Sequence, residues 1–301
     1  MKLHFFRKST PNFGDELNPW LWNQLIPDVF DDQETTAFLG IGTLLNDYAN
    51  IRVRNARQVV VFSTGVGYSK GLPAVDESWK IYCVRGPLSA QKLGLPESLA
   101  VADGALLTRR VFQSKCSKVH RFSYMPHFSQ SILAEKKWRS VCQALGFGYI
   151  DARWPVDQVL RAIDQTEVLL AEAMHGAILA DALRVPWIPV HSTPSILPFK
   201  WWDWCASIQV EYQPQQIPAL QDLSTKDIYQ TFNKDIKGGC KTVFHAASNL
   251  IQQKYATRRL DEIAKTIRPT LSKEKQLEHL TVELETRLQQ FKEDVQAGYF
   301  F

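Results

Sequence analysis

Short apolar runs separated by punctuated loops and helix-like stretches set the rhythm of the first third of the chain. The runs are Leu3–Phe6, Ala37–Ile41, Val59–Phe62, Ile81–Val84 and Leu99–Ala102. Each is apolar on both faces, as strands covered by helices on each side must be, so βαβ units and a parallel sheet follow. A second set opens after residues 109–120, which are basic or small and show little period. Its runs are Phe122–Met125, Phe147–Asp151, Val168–Ala171 and Trp187–Val190, with helical patterns over Glu135–Leu145, Pro155–Asp164 and Met174–Leu183. Gly146 stands where a left-handed helix cap would end the first of these helices, and Pro155 opens the second. The pattern predicts two doubly wound α/β domains, residues 1–110 and 120–212. Beyond them, residues 213–301 form a Pro- and Gln-rich linker and a helical tail. The tail carries Leu277, Leu280, Leu284, Leu288 and Phe291 at spacings of three or four, an amphipathic stripe expected to pack on a helix of this chain or of a second copy.

Composition narrows the classes. The 301 residues include 35 Lys and Arg against 31 Asp and Glu, a net charge of +4. That is too small for a nucleic-acid footprint yet compatible with a local pocket for an anion. No apolar run is long enough to span a membrane and the N-terminal run is too short for a signal peptide, so a cytoplasmic location is expected, with peripheral attachment at the inner membrane left open. Five scattered cysteines without a C-x-x-C pair predict neither a disulfide framework nor a metal site.

In open α/β sheets ligands sit beyond the carboxyl ends of the strands, so candidate chemistry is sought in the loops there. Asn12 and Asp15 follow the first strand, Gly40 and Gly42 the second, Gly65 and Gly67 the third, Arg85 the fourth and Asp103 the fifth. The glycines would floor a phosphate or sugar site, and Arg85 would hold a carboxylate or phosphate through two parallel hydrogen bonds. No loop completes the dinucleotide fingerprint, which disfavours a nicotinamide cofactor. In the second set, Glu172 and His175 fall at a junction from a buried strand to a helix rich in small residues, a position suited to proton transfer. His127 and Arg153 close two further strands, and Lys200 with Trp201 and Trp202 adds a cation and aromatic faces for a sugar ring.

Taken in order, Asn12-Phe13-Gly14-Asp15-Glu16-Leu17-Asn18, Gly40-Ile41-Gly42-Thr43, Arg85-Gly86-Pro87 and Glu172-Ala173-Met174-His175-Gly176-Ala177 resemble the polysaccharide pyruvyl transferases, in particular the branch that places ketal pyruvate on exopolysaccharides. The resemblance covers residues 1 to about 210. It implies two facing Rossmann-like domains of the GT-B kind and phosphoenolpyruvate as donor substrate, with no cofactor. The acceptor would be a saccharide, lipid-linked or free, handled by a homo-oligomer or within a membrane-associated assembly machinery. His175 maps onto the family histidine as general acid, with Glu172 beside it. Arg85, Arg153, Lys200 and His127 would bind the donor. Asn12, Asp15, Gly40, Gly42, Gly65, Gly67, Asp103, Trp201 and Trp202 would serve the acceptor. Many family members carry Ser or Arg two residues before the histidine, where this chain has Ala173. Two other readings share the pattern: a nucleotide-sugar glycosyltransferase of the same shape, and a non-catalytic glycan-binding or assembly subunit.

Overall fold

The computed structural model describes the chain except residues 8, 32, 69–70, 114–116, 194–195, 223–235 and 301 and, within one helix, the side chains of residues 236–250. Two parallel sheets are present. The first has order β1 (Lys2–His4), β2 (Thr36–Leu39), β3 (Gln58–Phe62), β4 (Trp79–Cys83). The second has order β6 (Gly148–Tyr149), β5 (His120–Met125), β7 (Thr166–Ala171), β8 (Trp187–His191), β9 (Gln215–Gln216). All strand pairings within these sheets are parallel.

The helices that position the site are α1 (Phe13–Leu25), the short α2 (Ala49–Arg52), α3 (Pro87–Leu93), α4 (Thr108–Val111), α5 (Phe128–Leu133), α6 (Glu135–Leu145), α7 (Val156–Asp164), α8 (Met174–Ala182) and α9 (Pro198–Ser207). Two long helices follow, α10 (Ile236–Thr266) and α11 (Glu274–Gln296). The stop expected at Gly146 holds, and a helix ahead of Gly94 ends the same way: both glycines lie in the left-handed region, at φ +69° and +65°, one residue past α6 and α3. Pro155 is the residue before α7 rather than its first helical one.

The predicted fifth strand does not form. Ala100 makes a single bridge to Val84, after which the chain enters a 3₁₀ turn, Gly104–Leu107, capped by the Asp103 carboxylate at 3.0 Å from the Ala105 amide. The linker also departs from expectation, since Gln215–Gln216 pairs with the end of β8 as an edge strand.

One continuous apolar cluster runs through both sheets, joining Phe13, Trp22, Phe38 and Leu106 of the first half to Met125, Met174, Ala177 and Ile178 of the second. The halves are therefore packed on each other, and open space remains at the strand ends. The α11 stripe belongs to the same cluster, with Leu277, Leu284 and Phe291 fully buried. It packs on the first sheet and on the 3₁₀ turn Gly104–Leu107 of this chain: the Phe291 ring meets Phe38 and Tyr82 at 5.4 and 5.5 Å between centroids. Arg109 and Arg110 of α4 pair with Glu274, Glu278 and Glu285 along the polar side of α11.

A candidate active site between the two sheets

The loops after β1, β2 and β3 meet those after β5, β6 and β7 and the start of α9 around a pocket of about 460 Å³. Its charged and titratable lining groups are Asp15, Arg52, His127, His175 and Lys200, set among Phe6, Phe13, Leu44, Phe128 and Met174.

How α1 comes to the site follows from its sequence. Pro19 lies inside the helix and has no amide proton to give the carbonyl four residues back. The Asn18 side chain takes that Asp15 carbonyl at 3.1 Å and the Ile41 carbonyl at 3.0 Å, while its oxygen accepts from the Ile41 amide at 2.8 Å. The start of α1 is thus pinned to the loop after β2. Gly40 serves this contact, because a side chain there would overlap the Asn18 and Trp22 side chains.

His175 is the second residue of α8, its side chain 14% exposed. Its Nε2 is buried without a hydrogen-bond partner and faces Asp103 Oδ2, likewise unpartnered, at 3.7 Å. Its Nδ1 edge lies against Gly14, where an added Cβ would overlap the ring. Phe13 meets the imidazole edge-on, with centroids 6.4 Å apart. His127 caps α5, its Nδ1 2.8 Å from Ser129 Oγ. Lys200 Nζ donates to Tyr68 Oη at 2.6 Å, tying α9 to a loop of the first half. Tyr68 sits at φ +68°, a left-handed conformation a bulky side chain rarely adopts, and its exposed ring stands at the pocket rim. The half-buried Arg52 donates to the Leu44 carbonyl; burial lowers its pKa, and the Asp15 carboxylate opposes that shift.

Several predicted site residues lie elsewhere. Arg85 is fully buried and its guanidinium is committed: to Asp203 at 2.9 Å, Thr43 Oγ1 at 2.9 Å, and the Val66 and Gly42 carbonyls at 3.0 and 3.3 Å. It locks the first-half loops to α9 and lines no part of the pocket, so the geometry does not bring it to the place expected of a donor-binding residue. Gly65 is glycine because the Arg85 guanidinium occupies the space of its side chain, and Gly67, at φ +150°, leaves room for Leu197. Neither lines the pocket, nor does Gly40. Gly42 does, but its carbonyl is occupied by Gly65, Thr64 and Arg85.

Arg153 is paired with Asp151 and Glu135 and does not line the pocket. Glu172 is not beside the reacting space either. Buried completely, it accepts from Tyr124 Oη, the His127 amide and the Ser192 amide, so it ties three strand ends together. Burial raises its pKa against those bonds. Trp201 is buried and stacked on Tyr212 at 5.0 Å, and Trp202, although exposed, stands outside the pocket. Asp103 is buried beneath His175 rather than open to a sugar. Asn12, Asp15, Gly42, His127, His175 and Lys200 are the predicted residues that converge.

Sequence reasoning passed over Arg52 and the rim tyrosines Tyr48 and Tyr68. Arg52 ends a four-residue helix too short for any periodic signal. The tyrosines are 61% and 58% exposed, and a lone aromatic in a loop carries no pattern.

The fold and pocket define an α/β enzyme whose site lies where the carboxyl ends of two parallel sheets converge. The profile of the polysaccharide pyruvyl transferase family matches residues 12–192, so the chain belongs to that family and is a polysaccharide pyruvyltransferase. It is similar to the succinoglycan biosynthesis protein ExoV of Rhizobium meliloti (strain 1021), with 39% identity over 222 residues, 72% of this chain and 68% of that protein. No solved structure gives a significant match. Among the described residues, no helix is long and apolar enough to cross a membrane.

Proposed function

We propose that the enzyme moves pyruvate from phosphoenolpyruvate onto two hydroxyls of a saccharide, forming a cyclic ketal and releasing phosphate. One observation carries this reading: two imidazoles, His127 and His175, and two cations, Arg52 and Lys200, share one pocket with the Asp15 carboxylate and the apolar side chains of Phe6, Phe13, Phe128 and Met174. The donor has two anionic groups, a carboxylate and a phosphate, around an apolar methylene carbon that must be protonated. Arg52 and Lys200 match the anions, with His127 as a further hydrogen-bonding group, and Phe13 and Met174 suit the methylene.

His175 delivers a proton to C3 of the enol phosphate. C2 then becomes oxocarbenium-like, and a sugar hydroxyl attacks it and loses its proton. The C2–phosphate bond next breaks, a second hydroxyl closes the ring, and one proton leaves with the phosphate as hydrogenphosphate. Cations held in place where charge develops stabilise the transition state more than water can, because they need not reorganise as it forms. A positioned acid contributes about 10²–10⁴-fold. Asn12, Asp15 and the exposed rings of Tyr48 and Tyr68 are placed to receive the sugar at the rim. The halves would face each other in the GT-B manner and need no cofactor. The name of the succinoglycan relative supports an exopolysaccharide acceptor, and an intracellular donor supports work in the cytoplasm, at the membrane if the acceptor is lipid-linked.

The test is incubation of the purified protein with phosphoenolpyruvate and a panel of free and lipid-linked galactosides, glucosides and mannosides. Phosphate release matched by a gain of one pyruvate less one water on the acceptor is expected. Stabilisation by nucleotide sugars, with phosphoenolpyruvate inert, would refute the donor assignment.

A further inference from the structure

Asp103 and His175 come from opposite halves of the molecule, one from the end of the first sheet and the other from α8 on the second. The Asp103 side chain is fully buried. Its Oδ1 accepts from the Ala105 amide at 3.0 Å and holds the 3₁₀ turn. Its Oδ2 has no hydrogen-bond partner, and neither has the buried Nε2 of His175, 3.7 Å away. Two buried polar atoms that each lack a partner and face one another are a hydrogen bond awaiting a small approach, because buried polar groups are almost always paired. Donor–base contacts of this kind commonly run long without substrate and shorten in the reacting complex.

We infer that Asp103 is a positioning residue: its Oδ2 accepts the Nε2 proton of His175 and so fixes which ring nitrogen serves the reaction. With Nε2 turned to the carboxylate, Nδ1 becomes the acid–base atom. It lies against Gly14, whose missing side chain makes room for the ring, and a substrate atom would reach it from the pocket that His175 lines. The carboxylate also stabilises the imidazolium that must exist before the proton is delivered, without itself being protonated. The inference rests on His175 acting as proposed above.

The full chain labelled with ¹⁵N-histidine tests it through long-range ¹H–¹⁵N correlation, with the His175 ring identified by its loss in His175→Gln. The wild type should show neutral His175 protonated at Nε2, with that proton exchanging slowly enough to be observed. Asp103→Asn keeps the oxygen that caps the turn and offers an N–H where Oδ2 was. It should move the proton to Nδ1 and lower kcat at least 10²-fold, while KM for phosphoenolpyruvate changes less than about threefold. A tautomer unchanged in Asp103→Asn, or a wild-type ring protonated at Nδ1, overturns the inference; if the variant does not fold, the wild-type spectrum decides alone. The spectrum is independent of turnover. An Asp103-dependent tautomer in a protein inert to phosphoenolpyruvate would fault the donor assignment and not the pair.

Discussion

Replacing Arg85 by alanine should harm folding rather than donor binding. The guanidinium is completely buried, as is its partner Asp203, and four acceptors surround it. Removing it leaves Asp203 with the Ser89 amide and hydroxyl as remaining donors, and strips the Gly42 and Val66 carbonyls and the Thr43 hydroxyl of a bond. Deleting one partner of a buried ion pair costs about 3–5 kcal/mol, because the other charge stays in a medium that does not solvate it. For a chain of 301 residues that corresponds to roughly 5–8 °C in Tm. Exchanging both residues for apolar ones of similar volume, Arg85→Met with Asp203→Leu, removes both charges and should recover part of the loss. Thermal and urea melts of the two single variants and the double variant measure this as a cycle. Where Arg85→Ala remains folded, KM for phosphoenolpyruvate should be close to that of the wild type. A melting temperature within 2 °C of wild type, together with a strongly raised KM, would refute the reasoning and return Arg85 to the donor site.

Gly14→Ala places a methyl group into the His175 ring, so kcat should fall by about 10²-fold or more in a kinetic assay. Helix propensity alone would favour alanine by up to about 1 kcal/mol, so a near-normal melting temperature is expected beside the lost turnover. Arg52→Met and Lys200→Met should each raise KM for phosphoenolpyruvate about tenfold or more, as loss of a charge-assisted contact does; unchanged KM in both would remove them from the donor site. Leu284→Ala, at the middle of the fully buried α11 stripe, should cost about 2–5 kcal/mol in a urea melt, and a loss under 1 kcal/mol would mean the stripe is not packed as described.

Features set by local chemistry could be read from the sequence: the α6 span, the glycine stops at 94 and 146 and the amphipathic α11 all depend on residues within a turn or two. The fifth strand could not be dismissed in this way, because Leu99–Ala102 has the composition of a strand and only the geometry beyond β4 denies it a neighbour along its length. The site divides along the same line. His175 was legible because a strand-to-helix junction is itself a local pattern. The part played by Arg85 was not, since Asp203 lies 118 residues further on, and a strand-end arginine reads equally well as a ligand anchor or as a lock. Arg153 likewise takes one partner two residues back and another eighteen residues back, on α6. Glu172 and Trp201, expected beside the acid and the sugar, are instead held by hydrogen bonds and packing behind the pocket, through partners that lie far along the chain.

The return of α11 to the first sheet bears on how the chain matures during synthesis. Phe38 and Tyr82 are covered by Phe291, Tyr82 bonds Asp294, and Thr36 and Gln58 bond the carbonyls of Phe300 and Tyr299. The strands of the first sheet are therefore finished by residues made more than two hundred positions later. At about 5–20 residues per second, the nearly two hundred residues between the end of the first half and the tail take roughly 10–40 s to appear. Throughout that interval the first sheet has an apolar face with no permanent cover. A chain that stops before α11 therefore leaves the Phe38 and Tyr82 face uncovered, the kind of exposed apolar surface that makes incomplete chains prone to aggregate.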